Sequence, residues 1–174
     1  AFAEFINKYK ETVFLCCRGL GLTEVEVEDA ASETFIAAYK GLQRYSGKAE
    51  LSTWLWSIAY RQAINYLRKN RRKWQLWTEP DESAVGGLKA KEPGPVSAAQ
   101  NSEEAYIIWA AVERLPRPWA MAIILHYREE KCIADIAKIM QARKNTVKTY
   151  LFRGRNKLKE MLAASFTEIA SVNG

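Results

Sequence analysis

The stretch "TEPDESAVGGLKAKEPGPVSAAQNSEEAY", residues 78–106, constrains this chain more than any other feature. It is rich in Pro, Gly, Ser and acids and has little to bury, so it is expected to be a linker or mobile loop, with a helix beginning near Ser102. On both sides apolar residues recur at helical intervals, over about 1–20, 24–45, 50–77, 100–114, 117–129, 132–140 and 144–164, and strand signals are scarce. The expected fold is therefore all-α: two small helical domains, 1–77 and 106–174, joined by a flexible linker over 78–105. Fully extended, such a linker would reach roughly 90 Å at ~3.3 Å per residue.

Several function classes find no support. No run of ~18 apolar residues is present, so no membrane span is expected, and no signal peptide is read. The chain opens directly on the helical pattern "AFAEFINKYKETVFLCC", so a few native residues are expected to precede it. Three cysteines make no disulfide framework, and a bridge between the neighbours Cys16 and Cys17 would be strained. All three are expected to be small buried hydrophobes in a reducing, cytoplasmic setting. The single histidine, His126, and the distant Cys132 match no zinc spacing, and one His leaves no nucleophile–histidine pair. No glycine-rich phosphate loop appears. No metal, cofactor or catalytic residue is assigned.

Charge is segregated. Net charge is +6, and the segments 61–73 and 143–159 carry Arg and Lys without an acid. Segment 24–33 is the reverse, with Glu24, Glu26, Glu28, Asp29 and Glu33 and no base. Separate acidic and basic surfaces suggest separate partners. Thr23 is a candidate N-cap with Glu26 placed to close a capping box, and Ala30, Phe35, Ala38 and Leu42 follow at helical intervals.

The stretch "STWLWSIAYRQAINYLRKNRRK", 52–73, carries aromatics at its head and a basic tail. At roughly 100° per residue, Arg61, Asn65, Arg68 and Arg72 form one stripe, while Leu55, Ala59, Ala63, Tyr66 and Leu67 form the opposite one. Trp54 projects near the basic stripe, and Trp56 points to the apolar side. Cations that hold phosphates beside a ring that stacks a base would suit a nucleic acid. A solvated charged helix with Trp54 tucked into a neighbouring element is the alternative.

"CIADIAKIMQARKNTVKTYLFRGRNKLK" has the layout of a helix-turn-helix. Ile133, Ile136, Ala137 and Met140 give the short first helix a buried face. In the second, Val147, Tyr150, Leu151, Gly154 and Leu158 share one side, and Lys144, Asn145, Lys148, Thr149, Phe152, Arg153 and Arg155 share the other. That second side offers partners for base edges and phosphates. Gln141 stands in the turn where Gly is usual, because that position often needs positive φ; either Gln141 adopts it at some cost or the turn has another geometry. A plain basic helical hairpin is the alternative.

Taken together, the two halves resemble an extracytoplasmic-function (ECF) sigma factor of the sigma-70 family. "EVEDAASETFIAAYKGLQRYSGKAELSTWLWSIAYRQAINYLRKNRRK" is similar to region 2, and "AVERLPRPWAMAIILHYREEKCIADIAKIMQARKNTVKTYLFRGRNKLKEML" to region 4. The landmarks are "ED…ETF", "RYSGKAELSTWLWSIA", "LP" and "ADIAKIM…NTVKTYLFRGRNKLK"; the order and spacing are specific although each motif alone is loose.

The resemblance implies a transcription-initiation factor that binds core RNA polymerase, through the β′ clamp helices and β flap, and directs it to promoter DNA. It implies polymerase docking by Asp29, Ser32, Glu33, Phe35 and Tyr39; a Gln is common where Ser32 stands, which weakens that contact here. An acidic surface is repelled by DNA and suits a basic protein partner. The resemblance further implies that the loop Tyr45–Leu51 captures an unstacked base of the −10 element, with Ser46, Gly47, Lys48, Ala49 and Glu50 shaping the pocket. Trp54, Arg61, Asn65, Arg68 and Arg72 would meet the opened strand. Lys144, Asn145, Lys148, Thr149, Phe152, Arg153 and Arg155 would read the −35 element. A cognate anti-sigma factor, often membrane-bound in this class, is an implied partner, in a stress response whose signal the side chains do not encode. Two readings stand beside this one: a helix-turn-helix regulator that works without polymerase, and a sigma-like mimic that sequesters an anti-sigma factor.

Overall fold

The structure, a computed structural model, describes residues 1–78 and 103–172. Among these residues every regular element is a helix: α1 (Phe2–Gly19), α2 (Glu24–Leu42), α3 (Leu51–Lys69), α4 (Arg71–Thr78), α5 (Glu103–Glu113), α6 (Arg117–Ile123), a π-helical turn (Ile124–Arg128), α7 (Ile133–Met140) and α8 (Lys144–Val172). The all-α expectation holds. Of the linker expected over 78–105, residues 79–102 lie outside the described residues, while Thr78 ends α4 and residues 103–105 open α5, so the helices reach into it from both ends.

Helices α1 to α3 pack on one another as a bundle. α1 buries Val13, Cys16 and Cys17 and ends where Gly21 turns the chain at φ 85°. α2 starts on the expected capping box: the Thr23 hydroxyl accepts from the Glu26 amide at 3.3 Å, and the Glu26 carboxylate accepts from the Thr23 amide at 2.7 Å. Its buried face is Val27, Ala30, Ala31, Thr34, Phe35 and Ala38, and Thr34 satisfies its hydroxyl by donating to the Ala30 carbonyl at 2.7 Å.

On α3 the apolar stripe Leu55, Ala59, Ala63 and Leu67 is buried as expected, Trp56 is fully buried, and Tyr66 is half-buried. Burial of Leu55 or Trp56 contributes roughly 1.5–3 kcal/mol each. The helix expected over 50–77 is broken. Asn70 leaves helical geometry at φ −103°, ψ 101°, and its side-chain oxygen accepts from the Lys73 amide at 3.2 Å, so it ends α3 and caps α4. Lys73 then reaches back to Glu26 at 2.6 Å and fastens α4 to the head of α2.

In the C-terminal half α8 lies against α5, α6 and α7. A Cβ on Gly154 would stand 3.1 Å from the Ile123 side chain, so the glycine permits the close approach of α8 to α6. The helix-turn-helix turn is left-handed at Gln141 (φ 52°, ψ 43°), the conformation for which Gly is usual there. The Ala142 amide closes the turn by donating to the Ala137 carbonyl at 3.0 Å. Cys16 and Cys17 are buried as expected. Cys132 is not: it sits at the exposed N-cap of α7, where the chain enters the helix from an extended residue.

The two halves also touch. α3 packs on α7 and α1 on α6, and one hydrophobic core runs through both.

Candidate nucleic-acid interface

The loop before α3 is built around an aromatic pair. Tyr45 and Trp54 lie 5.1 Å apart at a 43° tilt, and the Tyr45 hydroxyl donates to the Ala49 carbonyl. The indole of Trp54 stands 3.2 Å from where a Cβ of Gly41 would be, so the glycine makes room for the ring against α2. Trp54 is therefore both tucked against a neighbour and partly open to solvent. Gly47, at φ 72° with open space around it, turns the loop outward. Ser46, Gly47 and Lys48 are exposed and Ala49 is half-buried.

Beyond the loop, Arg61, Asn65 and Arg68 form an exposed stripe on α3. Arg72 is exposed too, but the break at Asn70 puts it on α4 rather than on the same helix. Arg68 stands over the Trp74 ring at 5.0 Å, a cation–π contact that orients its guanidinium.

A polar cleft of about 470 Å³ joins α2 to this stripe, lined by Glu33, Gln62, Asn65, Tyr66, Arg68 and Lys69. Burial, reinforced by the negative charges of Asp29 and Glu33, pushes the Tyr66 phenol upward. The acidic and basic surfaces, separate in sequence, thus adjoin at one cleft.

The opposite flank of α2 faces α1 across an apolar groove of about 750 Å³. Phe35 is buried and Ser32 and Tyr39 are exposed, yet all three line it. Phe35 packs edge-on against Phe5 at 6.4 Å, Tyr39 edge-on against Phe2 at 5.1 Å, and the Ser32 hydroxyl donates to the Glu28 carbonyl at 2.9 Å. Asp29 and Glu33 are exposed on the same helix.

On α8, Lys144, Asn145, Lys148, Thr149, Phe152, Arg153 and Arg155 are all exposed, with Phe152 at 64%. Val147, Leu151 and Gly154 are buried on the other side. The division expected from spacing is the one observed. Sequence reasoning missed Tyr127. The π-helical turn presents it at the surface, where its hydroxyl accepts from Arg155 Nε at 2.5 Å and its ring lies 5.5 Å from the guanidinium. The only signal in the sequence is an aromatic beside the single histidine.

Residues 5–73 match the sigma-70 region 2 family, and residues 106–158 match the sigma-70 region 4 family. The ECF RNA polymerase sigma factor SigW of Bacillus subtilis is 31% identical over 169 residues, spanning 93% of this chain and 89% of the relative. The chain belongs to the ECF sigma factors of the sigma-70 family. The ECF RNA polymerase sigma-E factor of Escherichia coli K12 is also similar, 31% identical over 140 residues that span 75% of this chain and 70% of that protein. The sigma factor RpoE of Bartonella quintana, solved in complex with the anti-sigma factor NepR, has the same fold at a TM-score of 0.69 and 22% identity, over 93% of this sigma factor and 96% of that chain. CnrH, solved with the cytosolic domain of CnrY, aligns at a TM-score of 0.57 and 19% identity, over 94% and 88% of the two chains.

Proposed function

We propose that this sigma factor binds core RNA polymerase through α2 and the α1–α2 groove, and directs it to promoters through two basic helix faces. The observation that carries the reading is the openness of those faces. The side chains of Arg61, Asn65, Arg68 and Arg72 near α3, and all seven assigned side chains on α8, stand at the surface. Uncompensated cations there would hold phosphates, and Asn145, Lys148, Thr149 and Phe152 would meet base edges of the −35 element.

At the −10 element, Ser46, Gly47, Lys48 and Ala49 with Trp54 would receive an unstacked base. Asp29, Ser32, Glu33, Phe35 and Tyr39 would meet the β′ clamp helices, with region 4 on the β flap. Residues 1–77 act as region 2 and 106–174 as region 4. The chemistry is binding and strand opening, with no catalytic group of its own. A cognate anti-sigma factor, membrane-bound or soluble, is the expected inhibitor, and action in the cytoplasm follows from the partners.

The test is transcription with purified core polymerase on a promoter template. Promoter-dependent initiation and a salt-sensitive complex with core are expected. Asp29→Arg should abolish core binding with unchanged helicity by circular dichroism. Normal core binding by that variant would overturn the docking assignment.

A further inference from the structure

We infer that α4 is a positioning arm: it turns back after Asn70, sets the Trp74 ring under the Arg68 guanidinium, and so presents Arg68 to promoter DNA. Where Arg68 is sent rests on the sigma-factor reading; how it is held does not.

Arg68 and Trp74 could not meet on an unbroken helix. Residues six positions apart there stand about 9 Å apart along the axis and about 120° apart around it. They meet here, with the guanidinium carbon 5.0 Å from the ring centroid, because Asn70 leaves helical geometry at ψ 101° and the chain restarts as α4. A run that would have been one basic helix becomes a cation and the platform beneath it.

The platform is fastened at both ends. At its start the Asn70 side-chain oxygen accepts from the Lys73 amide at 3.2 Å, and the Asn70 carbonyl accepts from the Trp74 amide at 2.9 Å. The Lys73 ammonium pairs with the Glu26 carboxylate at 2.6 Å, and the two side chains are only 27% and 28% exposed, so water screens this pair less than an ordinary surface pair. At the far end Trp77 meets the buried Tyr60 of α3 edge-on at 6.1 Å. Trp74 itself is half-buried against the core. Lys73 is therefore not one more phosphate cation of the basic tail; its charge is committed to Glu26 at the head of α2.

Arg68 is exposed and lines the polar cleft between α2 and α3. Stacking uses the flat face of a guanidinium and leaves its N–H edge for a phosphate. An arginine in the last turn of a helix otherwise samples many rotamers, and one ordered before DNA arrives loses less freedom on binding. Trp74 is thus a positioning residue that acts through Arg68, and the Glu26–Lys73 pair is the tether that keeps its ring in place.

Nuclear magnetic resonance of the free full-length chain reads the arm without DNA. The ring current of Trp74 should displace the Arg68 side-chain Nε–H resonance from that of an unstacked arginine, and Trp74→Leu should abolish the displacement. Glu26→Gln keeps a capping-box side chain but drops the charge that holds Lys73, and should reduce the displacement. A resonance unmoved by Trp74→Leu would overturn the stacking, and one unmoved by Glu26→Gln would overturn the tether. Promoter binding by the holoenzyme assembled with core polymerase then reads the consequence. Trp74→Leu should lower promoter affinity about 2- to 5-fold, with core binding and far-ultraviolet circular dichroism unchanged. Trp74→Phe, which keeps a ring face, should restore most of the loss. In an Arg68→Ala background Trp74→Leu should cost nothing further, whereas a merely structural role would act with or without the arginine. No loss in Trp74→Leu, or the same loss without Arg68, would overturn the positioning role. A parent holoenzyme that binds no promoter would overturn the sigma-factor reading and the DNA role of Arg68 with it, while the free-chain resonances still decide the stacking.

Discussion

The indole N–H of Trp56 on α3 donates to a carboxylate oxygen of Glu129 at 3.2 Å, across 73 residues of sequence. Trp56 is fully buried, so its donor has no water to fall back on. Glu129→Ala should destabilise the fold by about 1–3 kcal/mol, the usual cost of an orphaned buried polar group. Glu129→Gln, which keeps an acceptor oxygen, should cost less than half of that. Denaturant unfolding followed by tryptophan fluorescence measures both; equal losses would show that charge, not the hydrogen bond, matters.

Gln141 holds a left-handed conformation at φ 52° without the freedom of glycine. Gln141→Gly should therefore stabilise the chain, by about 0.5–1 kcal/mol after the entropy of the more flexible unfolded chain is subtracted. Gln141→Val should destabilise it by more than 1 kcal/mol, on the order of the left-handed penalty for a branched side chain. Urea midpoints at constant slope check the pair, and a destabilised Gly variant would mean that Gln141 contributes contacts beyond its backbone.

Periodicity made the helices legible, and it made their faces legible because a buried stripe and a charged stripe must alternate at 3.6 residues. The left-handed turn at Gln141 was one of two geometries the sequence left open, and φ 52° decides for it. The break at Asn70 was not read, since neither Gly nor Pro marks it; Asn is a favoured cap, its side-chain oxygen accepts from the Lys73 amide, and the Lys73 ammonium separately pairs with Glu26. The same holds for Lys131. Its lysine reads as one more surface cation until tertiary folding brings Ser52, 79 residues earlier, to its ammonium. Cys132 was misread because burial of a small apolar side chain depends on what packs over a helix start, which composition does not reveal.

The Glu26 carboxyl carries a pH signature. Burial alone would raise its pKa, but hydrogen bonds from Lys73 and Thr23 and the Lys73 charge outweigh it and hold it below the ordinary 4.5. A depressed folded-state pKa gives stability that is fully present above the unfolded value and lost as the pH falls through the folded one. At pH 7, Glu26→Gln should therefore be less stable than the parent by about 1 kcal/mol. The gap should begin to narrow as the pH drops below about 5 and close under the folded pKa. Thermal unfolding from pH 7 to pH 2.5 would show it; a gap that stays constant would remove the ion pair from the account.

Arg155 is held in place by Tyr127, through the 2.5 Å hydrogen bond and the ring beneath the guanidinium. A long side chain pinned before DNA arrives loses less rotamer freedom on binding, so under the proposed −35 reading Tyr127 would act as a positioning residue for a phosphate or base contact. Tyr127→Phe keeps the ring and removes only the hydroxyl. It should weaken use of the −35 element by about 0.5–1.5 kcal/mol, roughly 2- to 12-fold. Arg155→Ala should cost more and flatten the salt dependence. The double variant should then lose nothing beyond Arg155→Ala, because Tyr127 works through the arginine. Transcription from paired templates with intact and scrambled −35 elements gives the readout. If Tyr127→Phe still weakens the intact template in the absence of Arg155, the phenol meets the DNA itself and the positioning role is wrong.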